Sequence, residues 1–285
     1  MKPDYISDQY LHDFIGQALK EDLGDGDQSS LSCVPPDRTA QAHLLVKENG
    51  LLGGVTLAEK IFRQFDPGLS VSTHLVDGTR VNAGEIALHV EGAARSILAT
   101  ERLVLNCMQR MSGIATETRR YVDLVAGTKV EIMDTRKTTP NFRLLEKWAV
   151  LIGGGKNHRI GLFDMIMLKD NHIKLAGGVR EAINQTKHYL RASGKRLRIE
   201  VETRTLKEVE EAVETGGIDV IMLDNMPVDE MKHAVKLIAG RYRTEASGGI
   251  TFDSIREIAT SGVDCISVGA LTHTVKSLDL SLKIS

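Results

Sequence analysis

The chain has 285 residues, of which 42% are hydrophobic and 26% charged, so it can bury a sizeable core and is not a disordered chain. A formal net charge of −2 leaves no global field to draw it onto nucleic acid or anionic lipid, so any anion site must come from local clustering of Lys and Arg. Aromatic residues are only 4%, which argues against a surface that stacks bases.

In chain order, residues 8–20 carry apolar side chains at helical spacing (Leu11, Phe14, Ile15, Ala18, Leu19). The acidic, Gly-rich stretch from Glu21 to Asp27 reads as a loop. Strand-like runs follow at 42–47, 69–75 and 86–91, with a helix at 57–65 between them. This predicts an α+β domain with a mainly antiparallel sheet. Residues 94–111 then read as a long helix.

After Gly113 apolar strands alternate with amphipathic helices, the pattern of parallel βα units. The predicted strands are 130–133, 165–168, 197–201, 220–223, 243–246 and 265–268, with helices at 179–190, 206–214, 228–237 and 252–260. The later strand ends recur about every 22 residues, the size of a compact βα repeat. Six such units without a dinucleotide fingerprint favour an incomplete barrel over a doubly wound sheet.

In a βα barrel the C-terminal strand ends open on one face. Past the predicted strands come Asp134-Thr135-Arg136-Lys137-Thr138-Thr139-Pro140, Lys169-Asp170-Asn171-His172, Glu200-Val201-Glu202, Asp224-Asn225, Ser247-Gly248-Gly249 and Gly269-Ala270-Leu271-Thr272. Any one of these is an ordinary solvated rim; six in succession are a site. Arg136, Lys137, Arg143, Lys156, His158, Arg159 and Lys169 form a basic set, and arginine offers a planar fork for carboxylate or phosphate. Glu202 and Asp224 are acceptor-only groups suited to a hard divalent cation or to sugar hydroxyls. Cations beside carboxylates suit a pyrophosphate-bearing substrate with Mg²⁺. Ser247-Gly248-Gly249 is expected to open a helix, and Gly269-Ala270 sits at a similar turn. Both would let backbone N–H groups meet a phosphate.

Other signatures fail. Gly153-Gly154-Gly155-Lys156 is followed by Asn157 where a phosphate loop needs Ser or Thr. There is no nucleophile elbow and no paired zinc motif. Cys33, Cys107 and Cys265 are odd in number and far apart, which predicts reduced thiols. No apolar run approaches the ~20 residues of a membrane span, and residues 1–10 lack a signal-peptide pattern. The expectation is a cytoplasmic protein without nucleic-acid or membrane partners.

These motifs resemble the quinolinate phosphoribosyltransferase family, of the type II phosphoribosyltransferases, along nearly the whole chain. The resemblance rests on Glu21-Asp22-Leu23-Gly24, Glu101 to Asn106, Ser112-Gly113-Ile114-Ala115-Thr116, the Asp134 to Pro140 run, Gly153 to Arg159 and Lys169 to Ile173. Leu223-Asp224-Asn225, Ser247 to Ile250 and Val268 to His273 complete it. The resemblance implies an α/β fold: an N-terminal open-faced α/β sandwich over residues 1–112, completed by 275–285, and an incomplete barrel of fewer than eight strands over 113–274. It implies transfer of phosphoribosyl from phosphoribosyl pyrophosphate to quinolinate with decarboxylation, Mg²⁺ as cofactor, and a homodimer in which Arg102 reaches the neighbouring site. By the same resemblance Arg136, Lys137, His158 and Arg159, with Thr135 beside them and Arg102 in support, hold the diacid. Lys169 lies between the two substrates, and Glu202 and Asp224 take ribose hydroxyls and metal. The loops of Ser247, Gly248, Gly249 and of Val268, Gly269, Ala270 take phosphate. Asn141-Phe142 and Arg204 depart from the family pattern. A related enzyme acting on another acid and a non-catalytic phosphosugar-binding barrel are the alternatives.

Overall fold

A computed structural model describes residues 2–285. The chain divides into two compact units, one comprising the residues up to Arg119 with Thr139–Gly154 and Thr274–Ser285, the other Arg120–Thr138 with Gly155–His273.

The first unit begins with α1 (Asp8–Leu23), whose first turn is closed by the Ser7 hydroxyl accepting from the Tyr10 N–H. α2 (Gln28–Cys33) follows, capped by Asp27. Then come β1 (Thr39–Val46), β2 (Gly50–Leu51), α3 (Val55–Phe65), β3 (Ser70–Thr73), β4 (Arg80–Val81) and β5 (Ile86–Ala93). Along β1 Ala42, Leu44 and Val46 are buried while Gln41, His43 and Leu45 are not, the alternation of a sheet packed on one face only. α3 buries Leu57, Ala58, Ile61 and Phe62. Full burial of such side chains is worth about 1.5–3 kcal/mol each for the larger ones.

α4 (Ala94–Leu124) is longer than the spacing of its apolar residues suggests, running through Gly113. Glycine mid-helix costs about 1 kcal/mol against alanine. The reason for it is packing: a Cβ at Gly113 would lie 2.3 Å from the Lys276 carbonyl oxygen.

The second unit supplies β6 (Glu131–Met133), after which α5 (Arg143–Ile152) returns to the first unit. Glu146 on α5, fully buried, holds it there. It accepts from Arg110 Nη2 at 2.8 Å and Nε at 3.0 Å, and from Thr139 Oγ1 at 2.9 Å. The barrel unit continues with β7 (Ile166–Leu168), α6 (Asp170–Ala176), α7 (Val179–Ser193), β8 (Ile199–Thr203), α8 (Leu206–Thr215), β9 (Val220–Asp224), α9 (Val228–Ile238), β10 (Arg243–Ser247), α10 (Ile255–Ala259), β11 (Cys265–Ser267) and α11 (Ala270–His273). β12 (Leu280–Ile284) rejoins the first unit, antiparallel to β1, in a four-stranded sheet of order β12-β1-β5-β3.

Six parallel strands in the order β6-β11-β10-β9-β8-β7 form the second sheet, an incomplete α/β barrel as expected. A single parallel bridge, Met133 to Lys156, is added at its β6 edge. The strands of 220–223 and 197–201 extend two residues or fewer beyond the sequence reading, so that Glu202 and Asp224 are the last or nearly last residues of β8 and β9. Register puts Glu202 level with Met222 and Met222 level with Glu245, and Asp224 level with Ser247. Partners in register share a face, and the side-chain period of two puts Glu200, Glu202, Met222, Asp224, Glu245 and Ser247 on one face.

Gly113→Ala should lower stability by about 1–3 kcal/mol despite its better helix propensity, because the methyl meets a backbone oxygen that cannot move aside cheaply. Urea unfolding measures this; an unchanged or raised midpoint would show that the Lys276 segment yields freely.

Candidate active site

A cavity of about 700 Å³ opens at the C-terminal ends of the parallel strands. Its lining includes Thr135, Arg136, Lys137, His158, Arg159, Lys169, Glu202 and Asp224, together with Ser247, Gly248, Gly249, Gly269 and Ala270. Met167, Met222 and Ile250 add apolar surface.

The basic wall is built by two loops. Thr135 Oγ1 accepts from the Lys137 N–H at 3.1 Å, and the Lys137 carbonyl accepts from Thr272 Oγ1 at 2.8 Å, which fixes the turn carrying Arg136 and Lys137. The Arg136 Nε is buried without a hydrogen-bond partner among the described residues, a donor left over for an anion. Asp134 is fully buried and accepts from the His158 N–H at 2.8 Å and from Asn157 Nδ2 at 2.6 Å. That carboxylate holds the second loop, which delivers His158 and Arg159. Burial first, then repulsion from the Arg136 cation, pulls the Arg159 pKa down. Crowded cations of this kind gain from a bound dianion.

Beneath the cavity lies a buried cluster. His158 Nε2 is 3.0 Å from Glu200 Oε2 and 3.4 Å from Glu245 Oε2, and all three residues are buried. These three are the one group of His, Cys, Asp and Glu among the described residues close enough to share a metal ion. The ring's other nitrogen decides against metal: Nδ1 accepts from the Arg159 N–H at 2.7 Å. A metal on Nε2 favours a proton on Nδ1, which would face that N–H. The arrangement fits a proton on Nε2, which stands at ion-pair distance from both glutamates. Burial opposes a charged ring and the two glutamates favour one, drawing the His158 pKa up, but the Arg159 N–H at Nδ1 opposes a second proton, because a charged ring has no acceptor nitrogen. Burial, then the neighbouring Glu245, raises the Glu200 pKa.

The acidic wall carries its own cation. Lys169 Nζ lies 3.6 Å from Glu202 Oε2. Arg204 Nη2 lies 3.1 Å from Asp170 Oδ2 and 3.3 Å from Glu202 Oε1, and its Nε donates to Asp224 Oδ2 at 3.2 Å. Each of the three carboxylates is thus neutralised by the same guanidinium, although as a trio they do not come close enough to share one ion.

Four expectations need correction. Lys156 is not in the cavity lining; its Nζ stands 4.0 Å from Glu131. Arg143 starts α5 in the first unit. The Val268 N–H donates to the Met133 carbonyl at 2.9 Å and its side chain is fully buried, so it has nothing to offer a phosphate. Ser247-Gly248-Gly249 does not open a helix directly, since α10 starts at Ile255. Instead Gly248 and Gly249 have φ of 89° and 60°, a left-handed turn that can aim successive N–H groups at an anion. Arg102 is exposed on α4 in the first unit.

The description of the quinolinate phosphoribosyl transferase C-terminal domain matches residues 114–283, and that of the N-terminal domain of the same enzyme matches 27–112. The chain belongs to the quinolinate phosphoribosyltransferase family. It is 48% identical to quinolinate phosphoribosyltransferase [decarboxylating] 1b of Nicotiana tabacum, over 96% of this chain and 82% of that one. It is 43% identical to a probable nicotinate-nucleotide pyrophosphorylase [carboxylating] of Bacillus subtilis, over 96% and 93% of the two chains. The crystal structure of NadC from Streptococcus pyogenes superposes with a TM-score of 0.93 at 40% identity, covering 98% of each chain.

Within this family fold, sequence reasoning missed Glu245 and the pairing role of Glu200. The signal was available: Glu245 lies two residues before Ser247, and Glu200 two before Glu202, so strand alternation turns each pair to the same side. No helix among the described residues is long and apolar enough to cross a membrane. The three cysteines are free, Cys33 exposed and Cys107 and Cys265 buried.

Proposed function

We propose that the chain transfers the phosphoribosyl group of phosphoribosyl pyrophosphate to quinolinate with loss of CO₂, giving nicotinate mononucleotide and pyrophosphate for NAD biosynthesis. The observation that carries this reading is the division of one cavity into a cationic wall (Arg136, Lys137, Arg159, Lys169) and an acidic one (Glu202, Asp224). Its volume lies within the usual range for small-molecule sites.

The chemistry follows from that division. Arg136, Lys137 and Arg159 pair with the two carboxylates of quinolinate and fix the pyridine nitrogen towards C1 of the ribose. Glu202 and Asp224 receive the ribose hydroxyls and stabilise the positive charge that grows on C1 as pyrophosphate departs. The nitrogen attacks C1, and the ring becomes a pyridinium. That cation draws electrons from the adjacent C–CO₂⁻ bond, CO₂ leaves, and the ring carbon takes up a proton. Lys169, beside Glu202, stands where both substrates meet. The turn at Gly248 and Gly249 and the one at Gly269 and Ala270 receive phosphate through backbone N–H groups.

Magnesium belongs to this reading, held by Glu202 and Asp224; when bound it neutralises the leaving pyrophosphate. A homodimer, with Arg102 reaching the neighbour's diacid, also belongs to it. Exposed apolar side chains on the barrel unit support a covering partner: Leu162, Phe163 and Leu175 are 72%, 73% and 88% exposed. A cytoplasmic location is part of the same proposal, supported by the unpaired thiols.

A wall with this many cations favours a diacid over nicotinate, because a missing carboxylate leaves buried donors unpaired. Pyrophosphate release is therefore expected with quinolinate and not with nicotinate. Charge-assisted hydrogen bonds of about 1.5–3 kcal/mol imply that Arg136→Ala raises the quinolinate KM, or lowers kcat/KM, about ten- to hundred-fold. Steady-state kinetics with both acids tests the reading. Equal use of nicotinate, or unchanged kinetics in the variant, would overturn it.

A further inference from the structure

Arg204 is the residue the proposed reaction does not use, yet it pairs with both carboxylates of the acidic wall. One guanidinium meets three carboxylates from three strand ends: Asp170 at 3.1 Å, Glu202 at 3.3 Å and Asp224 at 3.2 Å. Glu202 and Asp224 are only 6% and 13% exposed, so their charges need a counter-ion whenever no ligand is bound.

The backbone on either side of this arginine is fixed. The Arg204 N–H donates to Glu208 Oε2 at 2.6 Å, Thr203 is fully buried with its hydroxyl donating to the Met222 carbonyl, and Thr205 caps α8. The side chain is not fixed in the same way, because it is 51% exposed. An ion pair with one water-facing partner is weakly held and readily exchanged. A rigid backbone with a releasable side chain describes a tethered cation that can leave its pocket and return without any loop rearranging.

We propose that the Arg204 guanidinium is a tethered competitor for the divalent cation: it neutralises Asp170, Glu202 and Asp224 in the resting protein and swings out when a metal-bound pyrophosphate ester docks. Two of its three partners, Glu202 and Asp224, are the carboxylates assigned to magnesium in the reaction reading, and two cations cannot share them. The residue thereby sets how much free metal the site requires. Once displaced, its charge stays tethered at the cavity rim. The metal at Glu202 and Asp224 rests on the phosphoribosyl-transfer reading; the neutralisation of both carboxylates by Arg204 does not.

The test is metal binding by the ligand-free protein. Mn²⁺, a paramagnetic stand-in for Mg²⁺, is titrated into wild type, Arg204→Gln and Arg204→Lys, and free Mn²⁺ is read from its electron paramagnetic resonance signal. A unit charge removed about 6 Å from a divalent ion in a water-like medium changes affinity about ten-fold. Arg204→Gln should therefore bind Mn²⁺ about ten-fold more tightly, Arg204→Lys should stay near wild type, and Asp224→Asn should lose the gain when combined with Arg204→Gln. Matching far-UV circular dichroism establishes that the variants fold alike; should Arg204→Gln fail to fold, Arg204→Ala replaces it in the same titration. Equal or weaker Mn²⁺ binding in the charge-removed variant would overturn the proposal. Absence of quinolinate turnover by wild type would instead overturn the reading of the reaction and leave the Mn²⁺ result standing.

Discussion

The geometry of the cavity hangs on a buried knot of one imidazole and two carboxylates. Glu200 and Glu245 reach across the barrel interior to the same His158 nitrogen, at 3.0 and 3.4 Å. Charges at that depth are costly unless paired, so the three groups must find one another for the barrel to close around them. The other ring nitrogen is spoken for by the Arg159 N–H, and the His158 N–H by the buried Asp134 carboxylate. The loop that presents Arg159 to the cavity is thus held from below at successive atoms. Well-packed apolar residues in place of such a knot are often as stable or more so, which points away from raw stability as its purpose. Its effect here is orientation: a cationic wall whose donors cannot drift.

Strand alternation then separates floor from mouth. β8 turns Glu200 and Glu202 to the same side, one in the knot and the other in the acidic wall, and β10 does the same with Glu245 and Ser247. A slip of one residue in either strand would exchange buried carboxylates for apolar neighbours. Register is therefore enforced by the charges as strongly as by the hydrophobic pattern, and the mouth inherits its order from the floor.

Much of this was legible in the sequence. Six apolar runs at regular spacing gave six parallel strands, and the charged residues after each run fell around one cavity, because a parallel barrel admits no other direction for those ends. What escaped depended on contacts between residues remote in sequence. Gly113 looked like the end of a helix, and only its closeness to the Lys276 carbonyl explains a glycine in mid-helix. Residues 143–152 fall inside the stretch assigned to the barrel, but the buried Arg110–Glu146 pair draws α5 into the other unit. Lys156 belongs by sequence to the basic set at the mouth, yet it pairs in a bridge with Met133 and points its ammonium towards Glu131. Val268 sits in a Gly-containing turn, but its N–H was already committed to the strand beside it. Spacing reports which face a residue takes; it does not report which backbone groups are already paired.

The resting cavity is balanced charge by charge. Lys169 and Arg204 answer the acidic wall, while the Arg136 Nε has no partner of its own. Binding an anion to such a site exchanges some internal pairs for external ones and supplies the missing ones outright. The exchange term is small, since a released ion pair offsets most of what a new one contributes. The term for an orphaned donor is larger, because its desolvation cost is already incurred in the folded protein. Selectivity should therefore reside in the basic wall, where donors wait unpaired, and exchange in the acidic wall, where every carboxylate already holds a cation that can give way. A cavity built in two such halves can bind one reactant by shape and charge and release the other's product without rebuilding itself.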